Sequence, residues 1–219
     1  MRLAMFDLDH TLLNGDSDRE WGRFLVAENY VDADLYHEAN EHFYRQYHSG
    51  TLNLKEYLDF SLKPLSEHSI EHLQQIRKKF LQERIEPMRQ KKADKLLQQH
   101  RNAGDYLLMV TATNQFIAEP IAESMSMDGL IATELEVVDG RYTGQILGTP
   151  SFMTGKVKRL QAWLKTNTLE LKGSCFYSDS INDLSLLEYV DEPIVVDADE
   201  KLLAIAKERG WSIFSLRDQ

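Results

Sequence analysis

Two aspartates, Asp7 and Asp9, stand two positions apart directly after a short, mostly apolar run at residues 2–6. The run is predicted to be a buried strand, because it is short and Asn14-Gly15 soon breaks any continuation. In open parallel sheets, ligands bind beyond the carboxyl ends of the strands. One carboxylate at such a place can attack phosphorus, and the other can transfer a proton. The pattern therefore favours a phosphate-ester site over its alternative, a solvated acidic turn.

A candidate phosphate-binding turn lies further along the chain. Thr111 follows a predicted strand at residues 106–110, and the amide of Ala112 comes next. A hydroxyl and an N–H at the start of a turn suit a phosphate oxygen. A threonine at the end of a strand is equally well explained as a cap.

Lys156 lies in the first turn of a helix predicted at about residues 153–165. The helix dipole does not favour a cation at this end, so the position indicates a specific anionic partner, such as Asp7 and a phosphate. The neighbouring Lys158 is an alternative, although its surroundings are typical of a solvated helix face.

Two further carboxylates, Asp179 and Asp183, stand four positions apart at a predicted strand-to-helix turn. This spacing lets both face one metal site. Asn182, between them, is a candidate hydrogen-bond donor to a substrate or to a metal-bound water, and its alternative is a helix cap.

These residues occur in the order of the four motifs of the haloacid dehalogenase superfamily of aspartate-nucleophile phosphohydrolases. Within that superfamily the chain resembles the phosphoserine-phosphatase-like branch. The four matching segments are residues 7–12, 108–113, 154–157 and 177–184.

The resemblance implies a two-step reaction through an aspartyl-phosphate. Asp7 would be the nucleophile, and Asp9 would protonate the leaving alkoxide and later activate water. The implied cofactor is Mg²⁺, held by the Asp7 carboxylate, the Asp9 backbone carbonyl and the Asp179 carboxylate. The implied catalytic residues are Asp7, Asp9, Lys156 and Asp183, and those implied to bind phosphate or substrate are Thr111, Ala112 and Asn182.

The chain departs from this branch at three places that concern the substrate. A serine followed by two glycines is replaced by Thr111-Ala112-Thr113. The glutamate that binds the substrate amine, nine positions after the nucleophile, corresponds to Asp16. The arginine that binds the substrate carboxylate, just after a segment matching residues 52–58, corresponds to Asp59.

An acid at position 59 would repel a carboxylate, so we expect a cationic phosphomonoester that has none. Histidinol phosphate fits this description, and phosphoethanolamine and phosphocholine are alternatives. Two interpretations compete with this one. Asp59 is equally well placed on a solvated face, and Arg19, Arg23 or Arg45 could supply a partner for a carboxylate.

The periodicity of the chain predicts an α/β fold, with a Rossmann-like core around a mainly parallel sheet and an inserted helical cap. Residues 15–88 carry apolar stripes at spacings of three and four, which predict about four amphipathic helices. From residue 89 strands and helices alternate. The predicted domains are therefore a core of residues 1–14 and 89–219 and a helical lid of residues 15–88 after the first strand.

Two local patterns within the predicted core give more specific expectations. Pro120 interrupts the helical stretch 114–125, which predicts an irregular first turn or a helix that begins near the proline. Residues 135–138 and 141–146, joined by Asp139-Gly140, are predicted to form a hairpin.

Composition limits the partners of the protein. The net charge of −10 disfavours nucleic acid and anionic membranes. The single cysteine, Cys175, cannot form an internal disulfide, which is typical of a cytoplasmic protein. We therefore expect a small phosphorylated metabolite as the partner, while the oligomeric state is left open.

The leading hypothesis is a Mg²⁺-dependent phosphatase of a small phosphorylated amine. A phosphoserine phosphatase is one alternative, and a phosphotransferase that passes the phosphoryl group to an alcohol is another. A further alternative is a catalytically silent regulatory protein that uses the acidic pocket to bind metal.

Overall fold

The computed structural model describes residues 1–217, without the side chain of His48, and its chain divides into two compact units. The core unit comprises Met1–Gly15, Met88–Thr133 and the chain from Thr149 onward. The helical unit comprises Asp16–Pro87 and Glu134–Gly148. Among the described residues, no helix is long and apolar enough to cross a membrane.

The core unit is built on a six-stranded sheet in which all neighbouring strands are parallel. The predicted α/β fold with a mainly parallel sheet is confirmed. The strands are β1 (Leu3–Phe6), β2 (Tyr106–Asn114), β3 (Gly129–Thr133), β6 (Cys175–Ser178), β7 (Glu192–Val196) and β8 (Ser212–Phe214). Their order in the sheet is β3-β2-β1-β6-β7-β8.

Two features of this sheet differ from expectation. Strand β3 was not predicted, because only Leu130, Ile131 and Ala132 form its apolar stretch. Strand β2 continues through Thr111 to Asn114, and its register against β3 shifts between Val110 and Asn114. The expected turn after Val110 is therefore an irregular end of the strand.

In the described part of the core unit, the α-helices are α6 (Lys91–Asn102), α7 (Gln115–Ser124), α8 (Thr154–Thr166), α9 (Leu184–Leu187) and α10 (Glu200–Arg209). Three of them, α8, α9 and α10, pack on one apolar cluster with the sheet. This cluster contains Met5, Leu108, Leu160, Phe176, Leu186, Leu187, Leu202 and Ala206.

The expectation for Pro120 was wrong, because α7 begins at Gln115 and continues through the proline. The side chain of Asn114 caps this helix by accepting the amide of Ile117. A buried face that includes Phe116, Ile117 and Ile121 stabilises the helix despite the amide that Pro120 lacks.

The helical unit contains α1 (Ser17–Ala27), α2 (Ala33–Ser49), α3 (Leu54–Ser61), α4 (Lys63–Glu67) and α5 (Ile70–Phe80). Four of these helices begin at a residue whose side chain accepts a backbone amide from the first turn, which satisfies an otherwise unpaired donor. The caps are Asp16, Asp32, Asn53 and Ser69. Phe80 packs against Trp21 and Phe24, with ring centroids 5.1 and 5.5 Å away.

The predicted hairpin forms from β4 (Leu135–Val138) and β5 (Arg141–Ile146). Asp139 and Gly140 both have positive φ, as the common two-residue hairpin turn requires. Strand β5 packs on α3 and α4, so residues 134–148 belong to the helical unit. This corrects the predicted domain boundaries, which assigned the hairpin to the core; sequence patterns identify a hairpin but not the surface on which it packs.

Candidate active site

The site is built from the end of β1. All four residues of this strand are buried, and the amide of Asp7 donates a hydrogen bond of 2.9 Å to the carbonyl of Tyr177 in β6. The chain then turns irregularly over Leu8–Leu12, with Asp9 extended and His10 at φ 57°. The amide of His10 donates to the carbonyl of Gly15 at 2.9 Å, which closes the turn. Asp7 is thus held at the end of a buried strand, and it is only 6% exposed itself.

Lys156 lies against the nucleophile candidate. Its Nζ donates to Asp7 Oδ1 at 2.8 Å and lies 2.7 Å from Asp183 Oδ1. The lysine is 2% exposed, in the first turn of α8. The prediction of an anionic partner for Lys156 agrees with this placement, whereas the alternative, Lys158, is exposed.

Burial controls the charges of these groups. Desolvation raises the pKa of Asp7 from 3.8 to about 7, Lys156 opposes the rise, and Asp183 and Asp9 add to it. Desolvation lowers the pKa of Lys156, but Asp183 and Asp7 outweigh that effect and raise it above its ordinary value. The lysine is therefore protonated, and the site favours a second cation beside Asp7.

Asp179 is joined to the turn after β1 through Thr11. The hydroxyl of Thr11 donates to Asp179 Oδ1 at 3.1 Å and accepts the amide of Asp179 at 3.1 Å. The side-chain amide of Gln90 donates to the carbonyl of Thr11. Burial, followed by the charges of Asp7 and Asp183, raises the pKa of Asp179 well above its ordinary value.

Asp183 is fixed from the strand that precedes it. The hydroxyl of Ser178, at the end of β6, donates to Asp183 Oδ2 at 2.7 Å. The same hydroxyl accepts the amide of Ser180, and Ser180 Oγ accepts the amide of Asn182. The side chains of Asn182 and Asp183 are both buried at the start of this turn.

The irregular end of β2 supplies two threonines. Thr111 is 1% exposed, and its Oγ1 accepts the amide of Thr113 at 3.1 Å. Thr113 in turn donates its hydroxyl to Asp9 Oδ2 at 2.5 Å. The carbonyl of Ala112 accepts the hydroxyl of Thr133. The structure thus brings the predicted phosphate-binding residues Thr111 and Ala112 to the strand beside β1.

The donor set fits a magnesium ion. The carboxylates of Asp7 and Asp183 contact the ammonium of Lys156, and the charges of Asp9 and Asp179 act on the same acidic cluster. Within residues 1–217, no three His, Cys, Asp or Glu side chains form a ready metal cage. Mg²⁺ needs none, because it usually keeps several waters and takes only one or two protein carboxylates.

The two predicted specificity residues lie in the helical unit. Asp16 caps α1 by accepting the amide of Arg19 at 2.9 Å, a structural role that the sequence analysis did not assign to it. Asp59 is exposed and forms an ion pair with Lys55 at 2.5 Å, one helical turn away. Arg19 and Arg23 pair with glutamates of their own unit, and Arg45 is exposed. The substrate-binding roles of Asp16 and Asp59 stay predictions.

A profile of the family described as haloacid dehalogenase-like hydrolase matches residues 4–188. The chain belongs to this family. It is a phosphatase of the family, as predicted, and phosphatases of this kind generally depend on Mg²⁺.

Three similar proteins refine the family assignment of this phosphatase. A histidinol-phosphatase of Neisseria meningitidis serogroup C (strain 8013) is 42% identical over 98% of this chain and 99% of its own length. A protein of unknown function from Bordetella pertussis Tohama I is 41% identical, with a TM-score of 0.93 over 99% of both chains. A phosphoserine phosphatase, solved as a phospho-aspartyl intermediate analogue, shares the fold at 22% identity, with a TM-score of 0.71 over 100% of this chain and 94% of that one. The predicted likeness to the phosphoserine-phosphatase branch is confirmed.

The hydroxyls that hold the carboxylates of this phosphatase were not predicted from the sequence. Thr11, Thr113 and Ser178 each bond to one acidic side chain of the site. Thr11 lies inside the first motif, and its position two residues after Asp9 is a signal that could have been used. Thr113 and Ser178 also lie inside matching segments, residues 108–113 and 177–184, and Thr113 stands where the branch has a glycine, which is a comparable signal.

Proposed function

We propose that this phosphatase hydrolyses histidinol phosphate through an aspartyl-phosphate formed on Asp7. The reaction is supported above all by the buried contact of 2.8 Å between Lys156 Nζ and Asp7 Oδ1. This contact places a cation beside the Asp7 carboxylate, whose negative charge is otherwise disfavoured by burial. The same cation would neutralise the charge of an incoming phosphate.

In the first step, Asp7 Oδ2 would attack phosphorus while Lys156 holds Oδ1. The bond between phosphorus and the substrate oxygen breaks, and Asp9 gives its proton to that oxygen. The hydroxyl of Thr111 and the amide of Ala112 would bind the phosphoryl oxygens. The products of this step are the free alcohol and phosphorylated Asp7.

In the second step, Asp9 would take a proton from a water molecule that attacks the same phosphorus. The bond between phosphorus and Asp7 breaks, which releases inorganic phosphate and restores both carboxylates to their starting states. Asp183 and Ser178 serve both steps indirectly, because they hold Lys156 in place.

The residues that would hold Mg²⁺ are Asp7 and Asp179, through their carboxylates, and Asp9, through its backbone carbonyl. When bound, the ion would supply positive charge that offsets the mutual repulsion of the carboxylates and the phosphate. The raised pKa values of Asp7 and Asp179 support this assignment, since burial and then the neighbouring carboxylates disfavour their negative charges, which a bound cation would stabilise.

Histidinol phosphate is proposed as the substrate because of the 42% identity, over essentially the full length of both chains, with the Neisseria histidinol-phosphatase. The replacement of the expected arginine by Asp59 agrees with a cationic substrate, although Asp59 also has Lys55 as a partner. A cytoplasmic location, inferred from the lone Cys175, and the role of the helical unit as a lid both stay predictions.

The proposal is tested by measuring kcat/KM for histidinol phosphate, phosphoserine, phosphoethanolamine and phosphocholine with Mg²⁺ and with EDTA. We expect histidinol phosphate to exceed phosphoserine by at least about a hundredfold, because a site built for a cation leaves a carboxylate unpaired. Equal or faster turnover of phosphoserine would show that the substrate proposal is wrong and favour the phosphoserine phosphatase alternative.

Two controls separate the remaining alternatives. The Asp7→Asn variant should fold and lose turnover by about three orders of magnitude or more, because an amide is a poor nucleophile. Product analysis with an added alcohol distinguishes hydrolysis from phosphotransfer: a new alkyl phosphate would identify a phosphotransferase, whereas inorganic phosphate alone identifies a hydrolase.

A further inference from the structure

Asp9 needs a fixed orientation for the chemistry proposed above. It lies half-buried on an irregular turn, with φ −71° and ψ 134°, and the next residue, His10, has a left-handed backbone. The carboxylate of an aspartate rotates about a broad, roughly two-fold torsion. General acid catalysis depends on a short distance and a good angle between the proton donor and the leaving oxygen. A carboxyl group that can rotate away from that oxygen is therefore an inefficient acid.

Thr113 supplies a contact that fixes this carboxylate. Its hydroxyl donates to Asp9 Oδ2 at 2.5 Å, which is short, as expected when the acceptor is a carboxylate. The bond occupies one oxygen of Asp9 and thereby selects one rotamer. The other oxygen, Oδ1, then carries the proton that passes to the leaving group.

Thr113 is itself held rigidly by the chain on both sides. Its backbone amide donates to Thr111 Oγ1 at 3.1 Å, and Asn114, next in sequence, caps α7. The register shift of β2 against β3 falls on this segment, so the irregular strand end directs the side chain toward Asp9. Thr113 is 4% exposed. A glycine at this position would leave Asp9 without this donor.

We propose that Thr113 is a positioning residue that orients the Asp9 carboxylate for proton transfer to the leaving oxygen. The inference rests on the proposed aspartyl-phosphate mechanism and extends it to a residue with no direct contact to the reacting atoms. In the first step Asp9 Oδ1 loses its proton to the departing alkoxide. In the second step the same oxygen accepts a proton from the attacking water, while Oδ2 stays bonded to Thr113 throughout.

The test uses two leaving groups with the Thr113→Val and Thr113→Ser variants. An alkoxide needs a proton as it departs, whereas p-nitrophenolate is a stable anion and leaves without one. We therefore expect Thr113→Val to lower kcat/KM for an alkyl phosphate about 10- to 100-fold but that for p-nitrophenyl phosphate by less than about threefold. Thr113→Ser keeps the hydroxyl and should restore the alkyl phosphate to within about threefold of the wild type.

The same variant should lower kcat for both substrates, because hydrolysis of the aspartyl-phosphate is common to them and also uses Asp9. The values of kcat/KM report only the steps up to the departure of the leaving group. The fall in kcat/KM can therefore be compared between the two substrates without a contribution from hydrolysis of the aspartyl-phosphate. An equal fall in kcat/KM for both substrates, or no fall for either, would overturn the inference.

A matched control is Thr133→Val, which removes another buried hydroxyl of the core unit that bonds to the backbone carbonyl of Ala112. This variant should affect the two substrates equally. If Thr113→Val does not fold, Thr113→Ala removes the same hydroxyl and is interpreted in the same way. The alkyl phosphate used in this test is the one that the wild type hydrolyses fastest. The test therefore does not depend on histidinol phosphate being the substrate. A wild type that hydrolyses no phosphate ester would contradict the proposed function itself.

Discussion

Lys156 determines the balance of charge in the site, because its ammonium contacts both Asp7 and Asp183 in a buried environment. A buried carboxylate without a counter-ion costs several kcal/mol, and removal of this one cation leaves both Asp7 and Asp183 without one. The lysine is therefore expected to matter for stability as well as for turnover.

The Lys156→Met variant should lose about 3–5 kcal/mol in the free energy of unfolding at pH 8, because two buried carboxylates then lack a counter-ion. The loss should be smaller at pH 5, because burial raises the pKa of Asp7 to about 7 and this carboxyl is then protonated. Urea unfolding at the two pH values measures the difference. Lys158→Met is the matched control, since Lys158 is exposed, and it should change stability little at either pH.

The raised pKa of Asp7 gives the metal-free protein a defined pH dependence. The pKa of Asp7 is about 7 in the folded protein, against an ordinary value of 3.8. The folded state therefore binds this proton more tightly than the unfolded state does, which stabilises the fold. This contribution to the free energy of unfolding is complete below pH 3.8 and is lost as the pH rises through 7. Asp179 acts in the same direction.

Mg²⁺ should reverse this loss, since it binds the ionised carboxylates. Calorimetry with EDTA and with Mg²⁺ should therefore show a larger rise in Tm at pH 8 than at pH 5. The Asp7→Asn variant should show a flatter pH profile and a smaller effect of the ion. A Mg²⁺-induced rise that is equal at both pH values would contradict this account.

At the level of single residues, the sequence predicted the acidic and basic members of the site but not their partners. Asp7 and Asp179 were found because they lie in short motifs at the ends of strands, and Lys156 because its motif opens a helix. The bond between Ser178 and Asp183 follows the backbone of one local turn, and the bond between Thr113 and Asp9 depends on strand pairing between segments far apart in sequence.

Helix α8 shows how an element positions a catalytic side chain. Its first turn follows Met153, which has φ 48°, and the amide of Gly155 donates to the carbonyl of Phe152. A Cβ on Gly155 would lie 2.1 Å from the carbonyl oxygen of Pro150. Only glycine allows this close approach of two backbone segments directly before Lys156.

The Gly155→Ala variant should consequently shift the start of α8 and move Lys156 away from Asp7. We expect a loss of about 2 kcal/mol or more in stability, as for other overpacked sites, and a fall in kcat. Thermal unfolding and steady-state kinetics measure the two effects. Thr154→Ala, at the exposed neighbouring residue, is the control and should leave both nearly unchanged.

Among the elements, those with strong local patterns were predicted well. The hairpin was identified from Asp139-Gly140, and β1 and β6 from their apolar runs. Strand β3 was missed and α7 was misjudged at Pro120, because pairing with β2 and burial of one helix face outweigh weak local signals.

For the whole molecule, the chain passes between its two units four times. The helical unit is completed by residues 134–148, which are distant in sequence from Asp16–Pro87. Leu62, between α3 and α4, and Leu65, within α4, are buried, and β5 packs on these helices. No single continuous piece of the chain contains this unit.

A fragment of residues 16–87 should therefore be less stable than the same fragment joined by a flexible linker to residues 134–148. The hairpin covers apolar surface on α3 and α4 that the shorter fragment exposes to water. Circular dichroism and the dispersion of amide NMR signals compare the two fragments. Equal stability of both would show that the hairpin does not contribute to this unit.

The single cysteine of the chain can be used to measure how often the central sheet opens transiently. Cys175 lies in β6 with no exposed surface, and burial raises its pKa to about 11. A maleimide can reach it only when that strand opens, so the labelling rate reports transient exposure of the sheet next to the nucleophile. Any ligand that tightens this region should slow the reaction, which gives a screen for binders that requires no turnover.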